Sequence, residues 1–354
     1  MDKYLMDSSK LLWHMDRVID HYDKGKRVYP IHIDFGATST CNANCVYCFA
    51  RHQKKLGEIF PRDAFIRFMT DAPRLGVKSV AIIGDGEPLL NPALCEGVMV
   101  GKKNGLDISI GTNGIALTPE KASILLSHCV WFRFNLSAAS KEAYQKIHGV
   151  DKWEVVKKNI EDAVRVKRLN DYDCTIGLQM VLVPDCLDQV IPEAKFAIDT
   201  GVDYFVIKQF SDPVCEEMTQ FDMSFYDKDK VNSILKEAES MSTKETQIIP
   251  KWNIIHSKGS MQGKCVDLPL LIEGSGTGKF YPCGYHFRNP KYELGDLTKQ
   301  TFQEMVESFQ YWKVIKEVRD NLVVGADCKG ACRHLQTNAF LNNYLNKPEH
   351  INFI

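Results

Sequence analysis

Apolar and polar residues change their spacing along the chain. The segment IHIDFGA (31–37) alternates them, as a strand with one buried face does. Strand-like runs return as SVAIIG (79–84), DISIGT (107–112), FRFNLS (132–137), TIGLQMVLV (175–183) and YFVIKQF (204–210). Between them the spacing is helical, over about 61–75, 92–104, 119–128, 152–168 and 187–200. Strands alternating with helices predict βαβ units and a parallel sheet, closed or open. Six strands within residues 31–210 fit an α/β fold, a partial (β/α)6 TIM-like barrel. In such a fold chemistry collects in the loops at the C-terminal ends of the strands.

Residues 1–30 are a polar lead-in with one amphipathic stretch, Leu11 to Tyr22, that predicts a short helix. After about residue 245 the rhythm breaks. Residues 257–295 hold seven glycines, and LLIEGSGTGKFYPCG (270–284) predicts two short strands around a glycine-rich turn. An amphipathic helix is expected at about 299–318 and a closing helix from about 333. The expected organisation is a lead-in (1–30), a barrel (31–245) and a small C-terminal α+β domain (246–354).

Charge removes several function classes. Lys and Arg number 44 and Asp and Glu 45, a net charge of −1, so neither a basic nucleic-acid coat nor a polybasic membrane binder is expected. No apolar run reaches the ~18 residues of a membrane span. The start, MDKYLMDSSK, lacks the pattern of a signal peptide, and a cytoplasmic location is expected. In that setting twelve cysteines read as metal ligands where clustered and as small buried hydrophobes where scattered, not as a disulfide framework.

The strongest chemical signal is Cys41-Asn-Ala-Asn-Cys45-Val-Tyr-Cys48, directly after the first expected strand. Three thiolates within eight residues can converge on one metal centre, and thiolates select iron–sulfur clusters, zinc or copper(I). A structural zinc site usually takes four ligands. Three cysteines on a [4Fe–4S] cluster leave one iron open.

This CxxxCxxC, with Tyr47 before its last cysteine, resembles the signature of radical SAM enzymes. Gly84-Asp85-Gly86-Glu87-Pro88 resembles that family's GGEP motif, with Asp85 a departure. Thr112-Asn113-Gly114 follows the third strand, and Asn135-Leu136-Ser137 ends the fourth, with Ala138 where many relatives carry Asp. The resemblance covers about residues 31–210. It implies S-adenosyl-L-methionine (SAM) and a [4Fe–4S] cluster on Cys41, Cys45 and Cys48, with Tyr47, Gly86, Glu87, Pro88, Asn113 and Ser137 at the SAM site. Glu87 would accept the SAM ammonium, and Ser137 would contact the ribose or carboxylate.

A second group is Cys265, Cys283, Cys328 and Cys332. The spacing C-x12-Gly278-x4-C resembles the opening of the SPASM and twitch extensions of radical SAM enzymes, with CxxxC where CxxC is commoner in the second pair. That implies a second [4Fe–4S] cluster, and the rival reading is a four-cysteine zinc site. Gly274-Ser-Gly-Thr-Gly-Lys279 imitates a phosphate-binding loop, but Phe280 follows the lysine and the context is a hairpin. Cys95, Cys129, Cys174 and Cys186 read as core filler. Cys215, after the sixth strand, is a candidate hydrogen-atom donor. Lys208 on that strand is a candidate cavity residue, with a solvated strand-end charge as the alternative.

The resemblance implies reductive cleavage of SAM to a 5′-deoxyadenosyl radical and hydrogen-atom abstraction from a substrate C–H. A short lead-in favours dehydrogenation or epimerisation of a polar, sugar- or nucleoside-like small molecule. Modification of a ribosomally made peptide or protein is the runner-up, and a non-catalytic zinc module the third reading. A reductase such as flavodoxin or ferredoxin is the implied partner.

Overall fold

A computed structural model describes residues 8–51, 57–210, 220–257, 263–328, 332–347 and 349–352. Its centre is a ten-stranded sheet. The strands are β1 (His32–Phe35), β2 (Ser79–Ile82), β3 (Asp107–Thr112), β4 (Trp131–Asn135), β5 (Thr175–Leu182), β6 (Tyr204–Gln209), β7 (Gln247–Pro250), β8 (Leu271–Gly274), β9 (Lys279–Tyr281) and β10 (Gly295–Asp296). Their order is β10-β9-β8-β1-β2-β3-β4-β5-β6-β7. From β8 to β7 every neighbouring pair is parallel, and β9 and β10 add antiparallel. The two end strands do not pair, so the barrel is partial.

The six expected strands all form. So do the expected helices, seen as α2 (Arg62–Arg74), α3 (Leu94–Lys103), α4 (Pro119–His128), α6 (Trp153–Leu169) and α7 (Val190–Thr200). The lead-in helix runs from Ser8 to Asp23 in mixed 3₁₀, α and π form, with α1 (Met15–Val18) at its centre. The expected hairpin is β8–β9, with Gly278 at φ +87° in its turn. Its first strand pairs with β1, so it extends the barrel's own sheet.

Other elements differ from the sequence reading. Short α5 (Lys141–His148) precedes α6, while α8 (Asp229–Ser240) and α9 (Trp252–Ser257) flank β7. The single helix expected at 299–318 is two, α10 (Phe302–Glu307) and α11 (Phe309–Asn321). Ser308 separates them, and its hydroxyl caps α11 by accepting the Tyr311 N–H at 3.1 Å. The last helix is α12 (Leu335–Leu345).

Strand alternation sorts the side chains. One row, including Ile33, Phe35, Ile108, Ile110, Phe132, Phe134, Leu178, Met180, Phe205 and Ile207, is fully buried. Phe35 packs against Phe60, Phe65 and Phe68 at ring separations of 5.2, 5.4 and 5.2 Å. Each such side chain contributes about 1.5–3 kcal/mol by leaving water. The opposite row carries Asp34, Arg133, Asn135, Gln179 and Lys208, so the concave face is polar where the helix-facing side is apolar.

Candidate active site

The loop bearing Cys41, Cys45 and Cys48 leaves the C-terminal end of β1. Cys45 is buried, and Cys41 and Cys48 are half-exposed. Three neighbouring segments clamp the loop, two through its backbone and one through the Asn42 side chain. The Glu87 N–H donates to the Thr40 carbonyl at 2.8 Å. Asn44 and Val46 donate to the carbonyls of His148 and Ile147, both at 2.9 Å, at the end of α5. The Asn113 amide donates to Asn42 Oδ1 at 2.7 Å and lies 3.8 Å from Cys41 Sγ.

Gly86 is required by contact. A Cβ there would stand 2.2 Å from the Thr38 carbonyl oxygen and 2.5 Å from that of Thr40. Gly149, at φ +70°, ends α5, and a Cβ on it would meet the Asn44 carbonyl at 2.7 Å.

Glu87 meets three donors of the chain itself. It is buried, and its carboxylate accepts from Thr112 Oγ1 (2.5 Å), the Leu89 N–H (3.1 Å) and the Asn113 N–H (2.7 Å). Burial raises its pKa while these three donors lower it. Its contacts join the ends of β2 and β3. Pro88 opens the 3₁₀ turn Pro88–Leu90 that Glu87 caps.

Ser137 is held by groups of the chain itself. It is fully enclosed; its hydroxyl donates to Tyr47 Oη at 3.1 Å and accepts from the Val181 N–H at 3.0 Å. Asn135 donates to the same Tyr47 oxygen at 3.3 Å. Tyr47 is thus a buried pillar between the cysteine loop and the ends of β4 and β5.

The sequence reading missed His148. Its Nε2 accepts the Ser137 N–H at 3.0 Å, and its Nδ1 lies 3.3 Å from Cys45 Sγ. Burial lowers its pKa to about 3, so the ring is neutral. With Nε2 accepting, the single ring proton sits on Nδ1 and points at the Cys45 sulfur. The available signal was the helix-ending His148-Gly149 pair.

Asp85, the departure within GDGEP, has a local use. Its carboxylate accepts the Gly276 N–H from the β8–β9 hairpin at 2.8 and 3.1 Å, and burial raises its pKa to about 7. The glycine-rich segment that imitates a phosphate loop is therefore packed on the barrel. A Cβ on Gly276 would meet the Thr38 carbonyl carbon at 2.0 Å.

Cys265, Cys283, Cys328 and Cys332 lie within mutual electrostatic reach. Burial raises the Cys265 thiol's pKa, with further raising by Asp267 and the other three sulfurs. A bound cation relieves that crowding, so the donor set suits an iron–sulfur cluster or zinc. Among the described residues no three His, Cys, Asp or Glu side chains form a ready metal-holding group. Electrostatic proximity is what the structure gives at the C-terminal set. Cys129, Cys174 and Cys186 are buried, and Cys95 packs partly exposed on the core. Lys208 lies on the inner row of β6. Cys215 lies outside the described residues.

Known proteins agree with this architecture. Residues 37–189 match the family model described as the Radical SAM superfamily. A probable GTP 3′,8-cyclase of Thermococcus kodakarensis is 28% identical over 231 residues, 64% of this chain and 72% of the relative. A tungsten-containing aldehyde ferredoxin oxidoreductase cofactor-modifying protein of Pyrococcus furiosus is 26% identical over 175 residues. That match covers 48% of this chain and about half of the relative, 49%. The crystal structure of Streptococcus suis SuiB bound to S-adenosylmethionine aligns with a TM-score of 0.66 at 16% identity, over 92% of this chain and 78% of SuiB. The cysteine loop, the GEP segment and strands β2 to β5 of the partial barrel thus lie together within the region matched to the radical SAM superfamily, whose members use SAM and a [4Fe–4S] cluster.

Proposed function

We propose that Cys41, Cys45 and Cys48 hold the [4Fe–4S] cluster and that SAM binds beside it, over the loops ending β2 and β3. The observation that carries this reading is the three-sided clamp on the cysteine loop by Gly86-Glu87, Asn113 and the end of α5. When bound and reduced by one electron, the cluster supplies cleavage of SAM to methionine and a 5′-deoxyadenosyl radical that removes a hydrogen atom from a substrate C–H. The chain's own residues hold the loop still. Glu87 joins β2 to β3, Tyr47 braces the loop against β4, and His148 donates to Cys45. The second set, Cys265, Cys283, Cys328 and Cys332, holds a further [4Fe–4S] cluster that accepts an electron from the substrate or positions it.

The substrate is a polar small molecule, sugar- or nucleoside-like, that is dehydrogenated or epimerised. Two observations support this: the polar inner row of the sheet, and a curated relative named for action on GTP. The runner-up is peptide modification, favoured by the likeness to SuiB, which has also been seen bound to a precursor peptide. A flavodoxin- or ferredoxin-like reductase supplies the electron. The test is anaerobic reconstitution followed by SAM and dithionite. The expected result is about eight irons with sulfide, and 5′-deoxyadenosine. Zinc without sulfide, and no SAM cleavage, would replace this reading with a non-catalytic zinc module.

A further inference from the structure

The concave face holds more positive charge than the described chain balances. Strand register sets out the positions. Arg133 on β4, Gly177 on β5 and Tyr204 on β6 form one row, Asn135 and Gln179 the next, and Val181 and Lys208 a row beyond. Lys251 follows β7, and its N–H donates to the carbonyl of Ile207, the neighbour of Lys208, at 2.9 Å. Arg333, just before α12, enters from the C-terminal region and pairs with Asp34 on β1 at 2.5 Å.

These cations are not equivalent. The Arg333 charge is met by Asp34, which also accepts from His32 at 2.9 Å. Nearby Asp267 and Glu273 face His334, at 2.8 and 3.6 Å. Arg133 lies over the Trp131 ring, 4.8 Å from its centroid, and hydrogen-bonds Tyr204, but has no carboxylate partner among the described residues. Lys208 and Lys251 have neither an ion pair nor a hydrogen bond from their ammonium groups among the described residues. Both feel Arg133 and Arg333, and Lys208 also feels Asp34, which favours its charge but makes no contact with it. Burial and the two arginines lower their pKa values, Lys208 to about 8 and Lys251 to about 7. Partly desolvated like charges without a counterion are unfavourable, and in a cleft they mark a place where an anion completes the site.

The charge decides the anion class. Among the described residues Arg133, Lys208 and Lys251 have no carboxylate partner in contact, and a bound anion would favour the charged form of both lysines. A monocarboxylate cancels one charge, whereas a phosphate monoester carries about two and a diphosphate two or three, with oxygens for several donors at once. We infer that Arg133, Lys208 and Lys251 bind the phosphate of a phosphorylated small molecule in the concave face of the sheet. This rests on the proposed reading of that face as the substrate cavity. The asymmetry of the cavity follows: one wall recognises phosphate, while Asn135 and Gln179, joined at 3.1 Å, line the path to Tyr47 and the cysteine loop.

Isothermal titration of the holoenzyme with inorganic pyrophosphate, inorganic phosphate and acetate tests the site without turnover. Pyrophosphate should bind most tightly and acetate most weakly. Lys208→Met and Lys251→Met should each weaken pyrophosphate binding about tenfold or more, while Lys146→Met, at an exposed pair with Asp185, leaves it unchanged. Both lysine variants remove an unpaired, partly desolvated charge, so their unliganded melting temperatures should hold or rise. Pyrophosphate should raise the melting temperature of the wild type and not of the double variant. Three outcomes overturn the proposal: no pyrophosphate binding by the wild type, equal binding by wild type and double variant, or acetate binding as tightly as pyrophosphate. Because binding is read without chemistry, wild type that binds pyrophosphate but does not cleave SAM refutes only the functional reading. Wild type that cleaves SAM but ignores pyrophosphate refutes only this site.

Discussion

Replacing His148 with Phe keeps a planar ring against Tyr144, whose ring centroid is 4.4 Å away, and deletes both ring nitrogens. Two hydrogen bonds are lost. The Ser137 N–H, now buried without its acceptor, costs the fold about 1–3 kcal/mol. The Nδ1–H to Cys45 Sγ bond has a different effect, because it strengthens as negative charge grows on the sulfur. With a cluster on Cys45, the bond favours the reduced form by about 1 kcal/mol. Since ~1.4 kcal/mol is tenfold and tenfold is ~59 mV for one electron, its loss should lower the cluster's potential by about 40 mV. The assay is a redox titration of the reconstituted protein followed by electron paramagnetic resonance, with iron content and melting temperature measured in parallel. His148→Gln, which keeps a donor and an acceptor on its side chain, should recover part of both losses. An unchanged or raised potential in a His148→Phe protein with full iron content would refute the assigned tautomer and the bond to sulfur.

Other predictions follow from the same contacts. Changing Cys41, Cys45 and Cys48 together to Ala should remove about four irons and all 5′-deoxyadenosine formation, while the remaining iron keeps a [4Fe–4S] Mössbauer signal; loss of all iron would contradict two separate sites. Changing Cys265, Cys283, Cys328 and Cys332 to Ala should remove the other four irons, and zinc found there in the wild type would exclude an electron-accepting role. The Asp85 pKa, raised to about 7 by burial, means that its contribution to stability is full below pH 4 and lost as pH rises through 7. Asp85→Asn should therefore gain stability relative to wild type over that window, by at most ~1.4 kcal/mol for each pH step of one; parallel denaturation curves at pH 4.5 and 7.5 check it. Cys215→Ala separates two chemistries: an epimerase using that thiol would consume SAM without inverted product, whereas a dehydrogenase would be unaffected.

The barrel was legible because each strand is a short apolar run with a helix-period segment after it, and local pattern suffices for that. Thus Asp107–Thr112 and Pro119–His128 fall where the spacing puts them. Elements set by tertiary contact were not legible. Helix α5 has eight residues and is secured at its ends by the Ser140 cap and Gly149. Strand β7 has only four residues, and its place is set by pairing with β6. At the site, residue type announced the cysteines, but not the direction of the supporting side chains. Glu87 and Ser137 are named by motif position, but the internal hydrogen bonds both make are set by the fold. His148 lies 103 residues from Cys45 in sequence, a contact that no local pattern encodes.

The C-terminal region is joined to the barrel at the strand that feeds the first cysteine loop. Leu271–Gly274 pairs in parallel with His32–Phe35, and the Gly36 N–H continues the ladder to the Gly274 carbonyl at 2.7 Å. Just above, a Cβ on Gly36 would overlap Asp85 Oδ1 at 2.2 Å, and one on Gly84 would stand 2.6 Å from Gly36 Cα. Glycine at these positions lets β1, β2 and the hairpin close to backbone contact, and Asp85 then receives the hairpin's Gly276 N–H. Charge ties the same region from the inside, since Arg333, next to Cys332, pairs with Asp34 on β1. His334, its pKa raised to about 10, is held by Asp267 and Glu273 between Cys265 and β8. A change at the four C-terminal sulfurs therefore acts on β1 through packed backbone and buried ion pairs rather than through a flexible tether, which is why the two cysteine sets call for separate replacement and a separate iron count.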